Sequence, residues 1–82
     1  MSRRAPSHYS LRFNLGFAFA QAERRVLIVD SDLRQPAMHK AFGFDLTPGL
    51  SDILAGKTTL AHAMHANVIP GLDILCAGEL LF

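Results

Sequence analysis

The chain has a single cysteine, Cys76, in 82 residues. No internal disulfide can form, which excludes a disulfide-stapled exported scaffold and points to a reducing compartment. Long apolar runs are also lacking, the longest uncharged one near the N-terminus being Phe13 to Ala22. That is about half of the ~20 residues a membrane-spanning helix needs, so the chain reads as cytoplasmic, with no transmembrane segment of its own. Charge is scarce as well, at 18% of residues and a net +1, and no nucleic-acid partner is expected. Internal repeats and low-complexity segments are absent. What is abundant is apolar content: half of the residues are hydrophobic, too many for intrinsic disorder, while the Gly and Pro punctuation excludes a coiled coil. A chain of this length supports one small core.

The small net charge hides an asymmetry. Residues 1–25 carry five arginines against Glu23, whereas residues 26–82 carry three cations against six carboxylates. The basic head reads as a solvated face. Residues 1–10 show no apolar period and read as a loose terminus. Leu11, Leu15, Ala18 and Ala22 then recur at steps of four, three and four, which predicts a helix running to about Glu23. Val26-Leu27-Ile28-Val29 is a continuous apolar run, the pattern of a parallel strand covered on both faces. Asp30 to Gln35 follows as a polar loop, and Pro36 opens a short helix over Ala37–Phe42 that Gly43 ends. Thr47-Pro48-Gly49 is a turn, Leu50–Ala55 a helical turn and a half stopped by Gly56, and Thr59–Ala66 a helix capped by Thr58 or Thr59. After the break at Pro70-Gly71, Leu72–Cys76 is a second buried strand, with Asp73 as its one awkward residue. Strand, helices and strand in that order describe a crossover between parallel strands, so the class is α/β, with about two strands and three to four helices. Two strands are too few for an independent parallel sheet.

The chemistry concentrates in Val26-Leu27-Ile28-Val29-Asp30-Ser31-Asp32-Leu33-Arg34. Ligands of open α/β sheets bind beyond the carboxyl ends of strands, and residues i and i+2 of an extended chain point to one side. Asp30 and Asp32 would then converge on one ligand. Two such carboxylates suit Mg²⁺, which keeps several waters and takes one or two carboxylates plus substrate phosphates. Arg34 would clamp a phosphate. The plain alternative is that Asp30 caps the following helix and Asp32 pairs with Arg34 at the surface.

This run and its flanks resemble the bacterial protein-tyrosine kinases of capsule and exopolysaccharide assembly, relatives of the deviant P-loop ATPases that partition chromosomes and place the division site. An apolar triplet followed by D-x-D-x-R is their Walker A′ motif, matched here from Leu27 through Arg34. Asn14-Leu15-Gly16, Ala20-Gln21 and Arg24-Arg25 ahead of it match the family pattern. So do Pro36, His39-Lys40, Phe42-Gly43, Gly49-Leu50-Ser51, Leu54-Ala55-Gly56 and Leu72 to Gly78 after it. Coverage runs from about Asn14 to Gly78. The resemblance implies a fragment of a Rossmann-like, three-layer, parallel-sheet P-loop NTPase domain, in which residues 1–10 are non-homologous and 11–82 form the partial domain. It implies ATP-dependent phosphate transfer to tyrosine, with Asp30 near Mg²⁺ and its waters, Asp32 assisting the metal or the tyrosine hydroxyl, and Arg34 on the nucleotide. It further implies a membrane polysaccharide co-polymerase or activator as partner, self-association, and a location at the inner face of the plasma membrane. The family's Gly-Lys-Ser-Thr would fall on Ser7-His8-Tyr9-Ser10, which supply neither the glycine nor the lysine, and no Walker B aspartate follows. The chain therefore reads as an internal piece of such a kinase, inactive alone.

Other motifs point elsewhere. Gly56-Lys57-Thr58-Thr59 looks like the end of a P-loop, yet Ser51 stands where its first glycine is needed, so a cap and turn is expected. His62 and His65 lie three apart on one predicted helix, without an identifiable third ligand for a metal. Cys76 on a buried strand reads as an inert small hydrophobe. Phe13 to Ala22 after Arg3, Arg4 and Arg12 imitates a secretory signal, but its apolar core is short and holds Asn14. Two other function classes stay open: a nucleotide-sugar glycosyltransferase fragment in which Asp30 and Asp32 hold Mn²⁺, and a non-enzymatic module that docks to a capsule-export membrane protein through the basic head.

Overall fold

Val26 to Val29 form a strand, as their unbroken β-branched and aliphatic character demands. In the computed structural model this strand runs from Arg25 to Asp30, and the structure describes residues 10–14, 16–22 and 24–79. Residues 1–9 of the expected loose terminus, including Ser7, His8 and Tyr9, lie outside the described residues. In chain order the elements are β1 (Ser10–Asn14), β2 (Phe17–Ala22), β3 (Arg25–Asp30), α1 (Met38–Phe42), α2 (Leu50–Leu54), α3 (Leu60–Ala63), β4 (His65–Ile69) and β5 (Leu72–Leu75). The strands form one sheet in the order β1-β2-β3-β5-β4. Among the described residues no helix is long and apolar enough to cross a membrane.

The α/β class and the crossover between parallel strands are present: β3 pairs with β5 in parallel, Ile28 opposite Ile74, and the helices lie between them in the chain. The expected two-stranded, all-parallel sheet is not. Among the described residues five strands are present, and the pairings β1 to β2, β2 to β3 and β4 to β5 are antiparallel. The largest departure is the helix predicted over residues 11–23, whose described residues, 11–14 and 16–22, are found in the hairpin β1–β2. The helical stripe was half alanine, so a helix would bury little there, whereas Phe17-Ala18-Phe19-Ala20 alternates with period two and phenylalanine favours strands. Pairing Phe19 with Ile28 and Gln21 with Val26 also satisfies backbone groups along the edge of β3 that β5 leaves open.

The third helix is shorter than expected, ending at Ala63 with Met64 already extended (ψ 150°), and His65–Ile69 turn into β4. Pairing with β5, with His65 opposite Ile74 and Ile69 opposite Leu72, overrides the helix expected to continue through His65 and Ala66. Pro70-Gly71 makes the tight turn between them, and the Gly71 carbonyl accepts from Val26 N at 2.8 Å, which ties this hairpin to the start of β3. The remaining local signals hold. Helix α1 ends at Gly43 in the left-handed region (φ 72°), and Thr59 caps α3 by accepting from His62 N.

The core centres on β5 rather than β3. Ile74, Leu75, Cys76 and Ala77 are buried, joined by Met38 of α1 and Ala63 of α3, while Val26 to Val29 are half-buried. Neighbouring strand residues face opposite ways, so burial of both Ile74 and Leu75 means that β5 is the strand covered on both faces. Asp73, the awkward residue of that strand, is bound at both oxygens by the Arg25 guanidinium at 2.7 and 2.6 Å, and Oδ1 also accepts from Asn67 N at 2.9 Å. Side-chain exposures of 31% for Arg25 and 9% for Asp73 make this a mostly shielded pair.

Removing one partner of such a pair leaves a poorly solvated charge. Arg25→Ala is expected to lower stability by about 2–3 kcal/mol, less than for a fully buried pair because Arg25 is partly solvated. Arg24→Ala, at an exposed neighbour, should stay within about 0.5 kcal/mol of the parent. Urea denaturation of the three proteins, compared at midpoint, checks the difference.

Candidate functional site

Strand β3 delivers Asp30 to its carboxyl end, and there the carboxylate is taken up by backbone. Oδ1 accepts from Asp32 N at 3.1 Å, and Oδ2 accepts from Ala37 N at 2.9 Å and Met38 N at 3.0 Å. Asp30 is only 1% exposed. The first of these bonds is an Asx-type turn, which bends the chain immediately after the strand. Residues 30 and 32 consequently do not share one extended run, and the simple i, i+2 rule does not orient their side chains. The other two bonds satisfy the leading amides of α1, so the capping role weighed for Asp30 is real. That role is compatible with a place near a ligand, because the same bonds hold the loop in shape.

Asp32 is half-buried. Its Oδ1 accepts from Arg34 N at 3.1 Å and Gln35 N at 3.0 Å. The surface ion pair with Arg34 is thus replaced by a bond to Arg34's backbone. Oδ2 accepts no hydrogen bond among the described residues. The Arg34 side chain is exposed and makes no ion pair among them. A divalent cation that keeps most of its waters needs one carboxylate oxygen with spare lone pairs, and Asp32 Oδ2 fits that need. Asp30, with both oxygens engaged, fits a supporting place behind the loop or an outer place through water. Among the described residues no group of three or more His, Cys, Asp or Glu is gathered to hold a metal unaided.

Two neighbours were not foreseen from the sequence. Gly16 (φ 75°), at the β1–β2 turn, accepts from Ser31 N at 2.8 Å through its carbonyl, and its bare Cα faces Asp32. Cys76 follows β5 and lies near Asp30: burial pushes its thiol pKa up, and the Asp30 charge pushes it further. The turn into α2 also docks on the chain after β5, where Leu50 N donates to Cys76 O at 2.8 Å and Ser51 N to Ala77 O at 2.9 Å. Gly49 is required there, since a Cβ would collide with the backbone of Cys76 and Gly78. A local signal for these contacts existed only in the glycines themselves.

The other motifs resolve structurally. Lys57 N donates to Asp52 O at 2.9 Å in the turn after α2 and Thr59 caps α3, so Gly56 to Thr59 form the expected turn and cap. His62 sits exposed on α3, while His65 is in β4 with its ring stacked on Phe44 at 3.7 Å. The two histidines are therefore on different elements, because α3 ends between them.

Comparison with known proteins gives homologues over this same stretch. EpsB of Ralstonia solanacearum is 42% identical over 65 residues, covering 79% of this chain and 9% of EpsB. The tyrosine-protein kinase ptk of Acinetobacter johnsonii is 39% identical over 66 residues, 80% of this chain and 9% of ptk. The tyrosine-protein kinase YwqD of Bacillus subtilis is 39% identical over 67 residues, 82% of this chain and 28% of YwqD. The chain thus spans about a tenth of the length of the first two relatives and little more than a quarter of the third. No family model matches the chain, and no solved structure matches it.

Two measurements probe this geometry. Asp30→Ala orphans three backbone amides and should destabilise the fold by about 2–4 kcal/mol, whereas Asp32→Ala, at a half-exposed position, should cost about 1 kcal/mol; urea midpoints compare them. For Cys76 the native pKa lies above the unfolded value, so the unfolded chain ionises first as pH rises. The neutral thiol's contribution is complete below the ordinary thiol pKa and declines as pH rises through it, with a slope of up to ~1.4 kcal/mol per pH unit. Cys76→Ala should remove that part of the alkaline decline in thermal midpoint.

Proposed function

Because this chain is homologous over four-fifths of its length to one segment of the bacterial tyrosine-protein kinases, we propose that it is the Walker A′ segment of such a kinase domain. Its task in that reading is to hold a magnesium nucleotide at the carboxyl end of β3. The observation that carries the reading is the Asp32 carboxylate, anchored through Oδ1 by two backbone amides with Oδ2 left to bind. Asp32 binds the cation, Arg34 reaches a phosphate from the exposed side of the loop, and Asp30 keeps the loop and α1 in place. Magnesium bound there supplies charge neutralisation for the nucleotide phosphates, which phosphoryl transfer needs above all.

The parallel pair β3–β5 with its helical crossover is, in the same reading, the part shared with a parallel P-loop NTPase sheet. The 82 residues contain no Gly-x-x-x-x-Gly-Lys-Ser/Thr pattern, so the backbone amides and lysine that cradle the β- and γ-phosphates come from elsewhere. ATP-to-tyrosine transfer is then a property of the assembled domain and this chain contributes the acidic strand end. Its partners are a second copy and a membrane polysaccharide co-polymerase, met at the inner face of the plasma membrane.

A fluorescent ATP analogue should bind in a Mg²⁺-dependent manner, weakly for want of the phosphate cradle. Asp32→Ala should weaken it about 10-fold or more, the loss of one charge-assisted contact. Titration by fluorescence anisotropy reads both. Preference for a UDP-sugar with Mn²⁺ would instead assign a glycosyltransferase, and no nucleotide binding by a folded protein would leave a docking module.

A further inference from the structure

The turn glycine Gly16 belongs to no expected part of the site, yet two observations bring it there. Its carbonyl takes the Ser31 amide at 2.8 Å, in the middle of the Asp30-Ser31-Asp32 run. A Cβ at Gly16 would stand 3.2 Å from Asp32 Cβ and 3.7 Å from Asp32 Oδ2. The first distance is tighter than nine in ten real contacts of this kind, so a side chain at Gly16 would push Asp32 aside by a few tenths of an ångström. The antiparallel register explains the proximity: Phe17 pairs with Asp30, which carries the residue before it past the end of β3 and onto the loop. Gly16 also has φ 75°, a conformation that costs other residues about 1–2 kcal/mol.

From this we infer that Gly16 is a positioning residue for Asp32, its carbonyl setting the height of the loop and its bare Cα setting where the carboxylate rests. The hairpin is thereby a wall of the acidic site as well as an edge of the sheet. This rests on the reading of Asp32 as the cation-facing carboxylate, but the placement of Asp32 can be measured without any cation. The amides of Arg34 and Gln35 report it, because both donate to Asp32 Oδ1.

Hydrogen exchange on Gly16→Ala and Gly16→Asn decides the matter. Both substitutions add the crowding Cβ, while asparagine tolerates positive φ and so keeps the turn unstrained. In both folded variants exchange at Ser31, Arg34 and Gln35 should speed up about 5-fold or more, as the local bonds loosen. Mn²⁺ affinity, read by electron paramagnetic resonance, should fall about 10-fold, the usual effect of disturbing a residue that orients a ligand. Faster exchange at Ser31 alone, with Arg34 and Gln35 unchanged, would overturn the inference and leave Gly16 a turn residue only. So would parental exchange in Gly16→Asn, which also decides the case if Gly16→Ala does not fold. If the parent protein binds no Mn²⁺ and no nucleotide, the functional reading fails, while the exchange data still decide the role of Gly16.

Discussion

A buried carboxylate bound by three backbone amides is the constraint around which the rest is arranged. Asp30 closes β3, bends the next residues back through Asp32 N, and receives the first amides of α1 at Ala37 and Met38. Strand, loop and helix are thus joined at one charged group that is 1% exposed. Such an acceptor can be buried because each oxygen is already hydrogen-bonded. Without it the loop carrying Asp32 and Arg34 would lose the bonds that tie it to the end of β3 and the start of α1.

The two ends of β3 are held in matching ways. At its start the Gly71 carbonyl takes Val26 N, and beyond its finish the Gly16 carbonyl takes Ser31 N. Each belongs to the turn of a tight hairpin, one joining β4 to β5 and the other β1 to β2. Arg25 adds a charged tie from the start of β3 to Asp73 of the adjacent β5. A single parallel pairing, too weak to stand alone, is in this way flanked by antiparallel partners on both sides. The same arrangement leaves β3 half-buried and concentrates the core on β5.

The acidic site divides its labour by environment. Both Asp30 oxygens accept from backbone amides, whereas among the described residues only Oδ1 of Asp32 does, and the difference follows from burial rather than residue type. Cys76, close enough for Asp30's charge to act on its thiol, marks how apolar the ground beneath the site is. The homologues named as tyrosine-protein kinases match this chain over the stretch that contains these residues.

Much of this was legible locally. The apolar run of β3, the acidic loop after it, Pro36 and Gly43 around α1, and Thr59 at the cap of α3 are each determined by nearest-neighbour physics: β-branched preference, proline's missing amide, a left-handed glycine, a hydroxyl facing free N–H groups. The described residues of the span 11–22, and His65 with Ala66, were not legible in the same way. Their patterns suit either a helix or a strand, and only the open edges of β3 and β5, formed by residues distant in the chain, turn that balance toward strands. The same distance explains Gly16, which nothing in its own neighbourhood marks as a companion of Asp32. Sequence alone determined which groups are charged and where the backbone can bend; tertiary structure decided which amide each carboxylate meets, because hydrogen bonds and side-chain contacts form between elements that the chain separates.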